Sequence, residues 1–104
     1  MVKAAAMRKR YVLFGLGGQD LTGEELKRGL YAEALRFFGE LGLSYAAFKL
    51  IEYDSKTKRG VIRCERSHLE KVLGFLALVS SLDGREARLR ALKSSGTIAG
   101  LRRQ

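Results

Sequence analysis

Proline, asparagine and tryptophan are absent from this 104-residue chain, and it has a single cysteine and a single histidine. One Cys forms no internal disulfide, and one Cys with one His falls short of the four ligands of a structural zinc site. A fold held by cross-links or by such a metal is excluded. No apolar run approaches the roughly 20 residues that span a bilayer. The start, Met1-Val2-Lys3-Ala4-Ala5-Ala6, also lacks the apolar core of a secretory leader. Composition thus predicts a cytoplasmic chain that makes no use of a membrane. Gln19 and Gln104 are the only side-chain amides. This depletion of heat-labile residues suggests a thermophilic source, whereas the missing proline points the other way.

What is there is charge and one core's worth of apolar residues. At 46% hydrophobic content the chain can bury a single core, so one domain is expected. Twenty Lys and Arg stand against eleven Asp and Glu, for a net charge of +9. Such an excess favours a polyanionic partner through counterion release, with nucleic acid ahead of an anionic lipid surface.

Along the chain, Lys3 to Arg10 are small or basic and end in Arg8-Lys9-Arg10, and residues 1–9 make a basic N-terminal stretch. They read as an arm ordered by a partner or as a solvated terminus, ahead of a single domain over 10–104. Tyr11 to Leu16 is apolar on both faces, which predicts a central strand covered on both sides. Gly15-Leu16-Gly17-Gly18 invites a nucleotide-loop reading, but the dinucleotide pattern puts its third glycine where Asp20 stands, so a flexible connection is expected. Thr22 and Glu25 form a capping box, and Leu26, Leu30, Ala34, Phe37, Phe38 and Leu41 carry a helix to Gly42 as its left-handed stop. Leu43 to Tyr53 reads as a strand, with Phe48 and Leu50 on one side and Lys49, Ile51 and Tyr53 on the other. Residues 54–60 make a polar hairpin into Arg59–Glu65, where Ile62 and Cys64 face inward and Val61, Arg63 and Glu65 outward. Ser67 and Glu70 predict a second capping box, and Leu69, Val72, Leu73, Leu76 and Val79 a second helix. Asp83-Gly84 marks a turn. Ala87, Leu89 and Ala91 then alternate with Arg88 and Arg90 in a last strand, and Ser94-Ser95-Gly96-Thr97 leads into a short helix.

This order predicts an α+β fold: a ferredoxin-like (RRM-like) βαββαβ sandwich with a four-stranded antiparallel sheet and a short extra C-terminal helix. Right-handed crossovers put both long helices on one sheet face. The other face then carries Tyr11, Leu13, Lys49, Ile51, Val61, Arg63, Arg88 and Arg90. Half of it is apolar, so the C-terminal helix, a partner protein or both must cover part of it.

Little in the sequence speaks for catalysis. His68 reads as a surface residue at a helix start, Cys64 as a small buried hydrophobe, and no carboxylate pair has acid–base spacing. The ferredoxin-like phosphatases that pair Arg with Asn find no Asn here. The aromatic stacking platforms of RNA-recognition modules are also missing apart from Tyr11, so contact with phosphates and with the shape of a folded RNA fits better.

Arg8-Lys9-Arg10-Tyr11, Gly60-Val61-Ile62-Arg63-Cys64 and Ser95-Gly96-Thr97-Ile98, in this order and spacing, resemble the small ferredoxin-like protein subunit of archaeal and eukaryotic ribonuclease P. The match covers nearly the whole chain. The resemblance implies an RNA-based enzyme that removes the five-prime leader of precursor tRNA, with catalysis by the RNA and a divalent metal such as Mg and with no cofactor on this protein. It implies as partners ribonuclease P RNA, a barrel-shaped protein subunit and other holoenzyme subunits, with precursor tRNA contacted indirectly. Relatives often carry Leu-Pro before the first strand, where this chain has Ala4-Ala5-Ala6-Met7. The RNA-binding candidates are Arg8, Lys9, Arg10, Tyr11, Arg63, Arg88, Arg90, Lys93, Ser95, Gly96, Thr97, Arg102 and Arg103. For the arginines the competing reading is a solvated face, and for Ser95-Gly96-Thr97 it is a helix cap. For the whole chain it is an assembly or regulatory module that pairs with proteins and touches no RNA.

Overall fold

The computed structural model describes residues 8–102. The predicted arm up to position 7 and Arg103 lie outside the described residues. Five strands and three helices follow in the order β1 (Lys9–Gly18), α1 (Gly23–Ala46), β2 (Lys49–Asp54), β3 (Arg59–Glu65), α2 (Leu69–Leu78), β4 (Ser81–Leu82), β5 (Arg85–Ser95) and α3 (Ile98–Arg102). The sheet is antiparallel throughout, in the spatial order β2-β3-β1-β5-β4. It therefore has five strands where four were expected. The extra strand is the two-residue β4, joined to β5 across Asp83-Gly84, both at positive φ (53° and 79°), the turn a two-residue hairpin demands.

β1 is the central strand, as its two-sided apolarity predicts, and it runs on through Gly18, so the glycine segment is strand and not a loose connection. Val12, Phe14 and Leu16 of β1, Ile62 and Cys64 of β3, Leu26, Leu30 and Ala34 of α1, and Val72, Phe75 and Leu76 of α2 make one core. Both long helices thus lie on the same sheet face. Thr22 and Glu25 form the predicted capping box, with reciprocal bonds of 3.1 and 2.9 Å. Ser67 and Glu70 do not. Glu65 accepts instead from the Ser67 amide at 2.8 Å and opens a single 3₁₀ turn, Arg66–His68, before α2.

α1 outruns its expected stop at Gly42. Gly39 takes the left-handed break (φ 76°), the chain resumes helical geometry to Ala46, and Ala47 closes it at φ 51°. The added turn contributes to packing, since Ala46 at its end and Phe48 just beyond it are both core residues. The strand expected over Leu43 to Tyr53 therefore begins only at Lys49.

Two register shifts reorganise the faces. On β2, Leu50 pairs with Ile62 and Glu52 with Val61, so Ile51 is an extra residue. Tyr53 is turned inward as a result, with its ring stacked on Phe14 at 6.4 Å, and not outward beside Ile51 as alternation predicts. On β5, Phe14 pairs with Ala91 and Leu13 with Lys93, which leaves Leu92 over.

Candidate nucleic-acid interface

With the registers known, the sheet face away from α1 and α2 can be read row by row across β2, β3, β1 and β5, because paired residues share a face. Lys49, Arg63, Tyr11 and Ser95 form one row; Glu52, Val61, Leu13 and Lys93 the next; Asp54, Arg59, Gly15 and Arg90 the third; Gly17 and Arg88 follow. Helix α3 lies over the second row. Leu101 is buried and shares a cleft with Leu13, Val61 and Lys93, while Arg102 Nη2 sits 2.7 Å from Glu52 Oε2. The C-terminal helix thus covers the apolar middle of the face, one of the expected solutions.

Some cations are matched: Arg28 grips Asp83 with two bonds of 3.1 and 2.8 Å, Arg85 reaches Glu25 at 2.8 Å, and Lys58 reaches Asp20 at 2.5 Å, whereas Lys27, Lys56 and Lys71 stand without an ion pair among the described residues. The Arg28 bond holds the Asp83 carboxyl below its usual range and lifts the guanidinium. The Thr22 amide, more than Arg85, lowers that of Glu25. By contrast, Arg8, Lys9, Arg10, Arg59, Arg63, Arg66, Arg88 and Arg90 carry no ion pair among the described residues.

Four of these cations meet at one end of the sheet. Arg8, Lys9, Arg10 and Arg66 line a groove of about 610 Å³ together with Ser67, Leu69, Glu70 and Gly96. The end of the β1–β3 ladder builds it: Lys9 pairs with Glu65, and the Arg66 amide donates to the Arg8 carbonyl. The nearby Glu65 carboxylate is turned onto Ser67, accepting from both its amide and its hydroxyl, with His68 Nδ1 at 3.5 Å. The Ser67 hydroxyl is the main cause of its lowered pKa, followed by the Ser67 amide. Gly96 forms a wall of bare backbone, where an added Cβ would lie 3.5 Å from Arg10 Nη1.

Ser95-Gly96-Thr97 does what a cap does. The Gly100 amide donates to Thr97 Oγ1 at 2.9 Å, and the Thr97 amide to Ser95 Oγ at 3.3 Å. Ser95 also packs so tightly on Gly100 that a Cβ there would overlap its hydroxyl.

The candidate residues thus separate. Arg8, Lys9, Arg10 and Gly96 come together, and Tyr11, Arg63 and Ser95 lie in the adjoining row. Lys93 lies beneath α3, and Arg102 belongs to its ion pair. Arg88 and Arg90 stand beyond α3. Arg63 and Arg90 share a face but no continuous strip, because their β1 partners Tyr11 and Gly15 lie about 13 Å apart along the strand. Sequence reading left out of the RNA-binding candidates Arg66, hidden in what looked like a helix start, and Arg59, read as the junction of hairpin and strand although it alternates with Val61 and Arg63. Cys64 and His68 are no reaction centre: Cys64 is buried and desolvation pushes its thiol up to about 11, while half-buried His68 leans on Glu65 and Ser67.

Residues 10–104 match the model of the Rpp14/Pop5 family. Ribonuclease P protein component 2 of Pyrococcus furiosus is 38% identical over 98 residues, covering 93% of this chain and 82% of that protein. The Archaeoglobus fulgidus protein of the same name is 33% identical, covering 93% and 87%. Among solved structures, a chain in the cryo-EM structure of yeast ribonuclease MRP aligns with a TM-score of 0.70 at 14% identity, covering 91% of this chain and 79% of that one. On the family match and the archaeal identities together, this chain belongs to the Rpp14/Pop5 family.

Proposed function

We propose that the chain is a ferredoxin-like, RNA-binding protein subunit of a ribonuclease P, supporting a catalytic RNA that removes the five-prime leader of precursor tRNA in the cytoplasm. The observation that carries this is a concentration of cations: eight lysines and arginines on one face and one end of the sheet have no ion pair among the described residues, four of them around one groove. Clustered unpaired cations repel one another, and a phosphate backbone relieves that repulsion. The names of the archaeal relatives and the ribonucleoprotein setting of the yeast neighbour support the same reading.

The protein's part is to bind and position. The divalent ion, such as Mg, belongs to the RNA in this reading, and precursor tRNA is reached through the RNA. The helix side suits protein neighbours, the barrel-shaped subunit first among them, since Leu35, Phe37, Leu41, Tyr45 and Leu78 are exposed there. That patch is also the observation that favours the alternative of protein pairing alone. Binding to ribonuclease P RNA over a salt series separates the two. Phosphate contact predicts a log–log slope of about −0.7 to −0.9 per contact, and pairing alone predicts almost none. Leader removal by RNA reconstituted with the barrel-shaped subunit, with and without this chain, tests the holoenzyme role.

A further inference from the structure

At the opposite end of the sheet face from the Arg8–Arg66 groove lies a trough of about 460 Å³ lined by Gly15, Gly17, Thr57, Lys58, Arg59, Arg88, Arg90 and Leu92, among others. We propose that this trough seats an unpaired stretch of RNA backbone, a site distinct from the end groove; the inference rests on the RNA-binding reading and extends it.

Its walls are cationic. Arg59 stands on β3 and Arg88 and Arg90 on β5, with no ion pair among the described residues, whereas neighbouring Lys58 is committed to Asp20. Guanidinium groups on two sides suit the oxygens of a phosphodiester. The floor is backbone, because Gly15 and Gly17 are the β1 residues on this face, and Leu92, lifted out by the β5 bulge, adds an apolar end at 3.5 Å from where a Gly15 Cβ would be.

No steric demand explains the bare floor of the trough. In the sheet and its packing some glycines are required, Gly60 by the Phe14 ring, Gly29 by the Asp83 backbone, and Gly18 by φ +95° and the Glu86 carbonyl, while Gly23 and Gly74, on the helices, are not. Gly15 and Gly17 are free of such demands, since a Cβ would meet nothing nearer than 3.5 Å at Gly15 and 4.0 Å at Gly17. Bare positions in a central strand weaken it, and their presence beside unpaired arginines leaves room for a ligand to approach the backbone.

Width selects the strand state. The walls stand two interstrand steps apart, about 10 Å. A single strand lies down in that gap, whereas a duplex reaches it only with one edge. No aromatic among the described residues lines the trough, so recognition is of backbone and not of base sequence.

The test uses the full chain with two probes, an oligouridylate of about 12 nucleotides, a span typical of single-strand sites, and an RNA hairpin with as many phosphates. Gly17→Val fills the trough with a strand-favouring side chain. It is expected to weaken oligouridylate binding at least about fivefold, with no drop in melting temperature and a much smaller change for the hairpin. Unchanged oligouridylate affinity, or equal losses on both probes, overturns the proposal. Should Gly17→Val fail to fold, Arg88→Gln with Arg90→Gln decides the same point: an oligouridylate salt slope flatter by about two contacts is expected, and an unchanged slope overturns it. Binding of the wild-type chain to ribonuclease P RNA is measured alongside. Failure there, with salt-independent or absent binding, would overturn the functional reading, whereas the oligouridylate result decides the trough alone.

Discussion

The backbone amide of Arg66 donates to the carbonyl of Arg8 across 2.7 Å, fastening together two cationic residues 58 positions apart in sequence. Neither side chain has an ion-pair partner among the described residues, and both line the same groove. Because the joint is made by backbone, the side chains remain available to a ligand, and the fold tolerates their removal.

Arg8→Gln with Arg66→Gln should accordingly leave the melting temperature within about 1–2 °C of wild type, while the salt dependence of RNA binding flattens by roughly two contacts. Lys27→Gln, exposed on α1 away from both basic sites, serves as the control and should change neither. A double variant that keeps the wild-type slope would return these residues to the solvated-surface reading.

Thr97 and Gly96 make separable contributions. Thr97→Ala removes the cap on Gly100 and should cost about 0.5–2 kcal/mol with RNA affinity kept. Gly96→Val pushes a side chain toward Arg10 in the groove, where only ordinary contact exists, and should weaken RNA binding more than it lowers stability. Thermal melts and RNA titrations of the two variants check this; parallel losses in both would make the loop purely structural.

Gly60→Ala should destabilise strongly for its size. Its Cβ would stand 2.6 Å from the Phe14 ring and 2.8 Å from the Glu52 carbonyl, both held in place by the β2–β3–β1 ladders. Overpacking of this kind costs about 1–3 kcal/mol, which differential scanning calorimetry should report as a drop of roughly 4–8 °C per kcal/mol.

Acid should loosen the fold through three carboxylates. Asp83, Glu25 and Glu65 all have folded pKa values lowered by hydrogen bonds, from Arg28, the Thr22 amide and Ser67 first respectively. A lowered folded pKa means stability present above the unfolded carboxylate range and lost as pH falls through the folded values, so melting temperature should decline below about pH 4. Asp83→Asn should lower the neutral-pH melting temperature and make the acid decline shallower.

Periodicity revealed most of the architecture because most of the chain obeys a fixed period. Ile62 and Cys64 alternate cleanly, Thr22 and Glu25 have the spacing of a cap, and these elements lie where expected. The failures are places where one residue breaks the count. The extra residue Ile51 turns Tyr53 inward, and Leu92 carries Lys93 to the outer face, where strict alternation from Ala87, Leu89 and Ala91 would have turned it inward. A two-residue strand such as Ser81–Leu82 has no period to detect. In the site, Arg8 to Arg10 stood out as a run, but their meeting with Arg66 depends on a long-range ladder that no local pattern encodes.

Helix α3 also sets how a polymer could travel over this surface. By closing the row of Leu13 and Val61, it stands as a barrier between the basic groove at Lys9 and the trough at Gly15, points about 20 Å apart along β1. A straight strand laid in one cannot slide into the other. If both are filled, they hold separate stretches of one folded molecule, and the protein acts as a crossbrace whose grip rises steeply when the second stretch is already nearby.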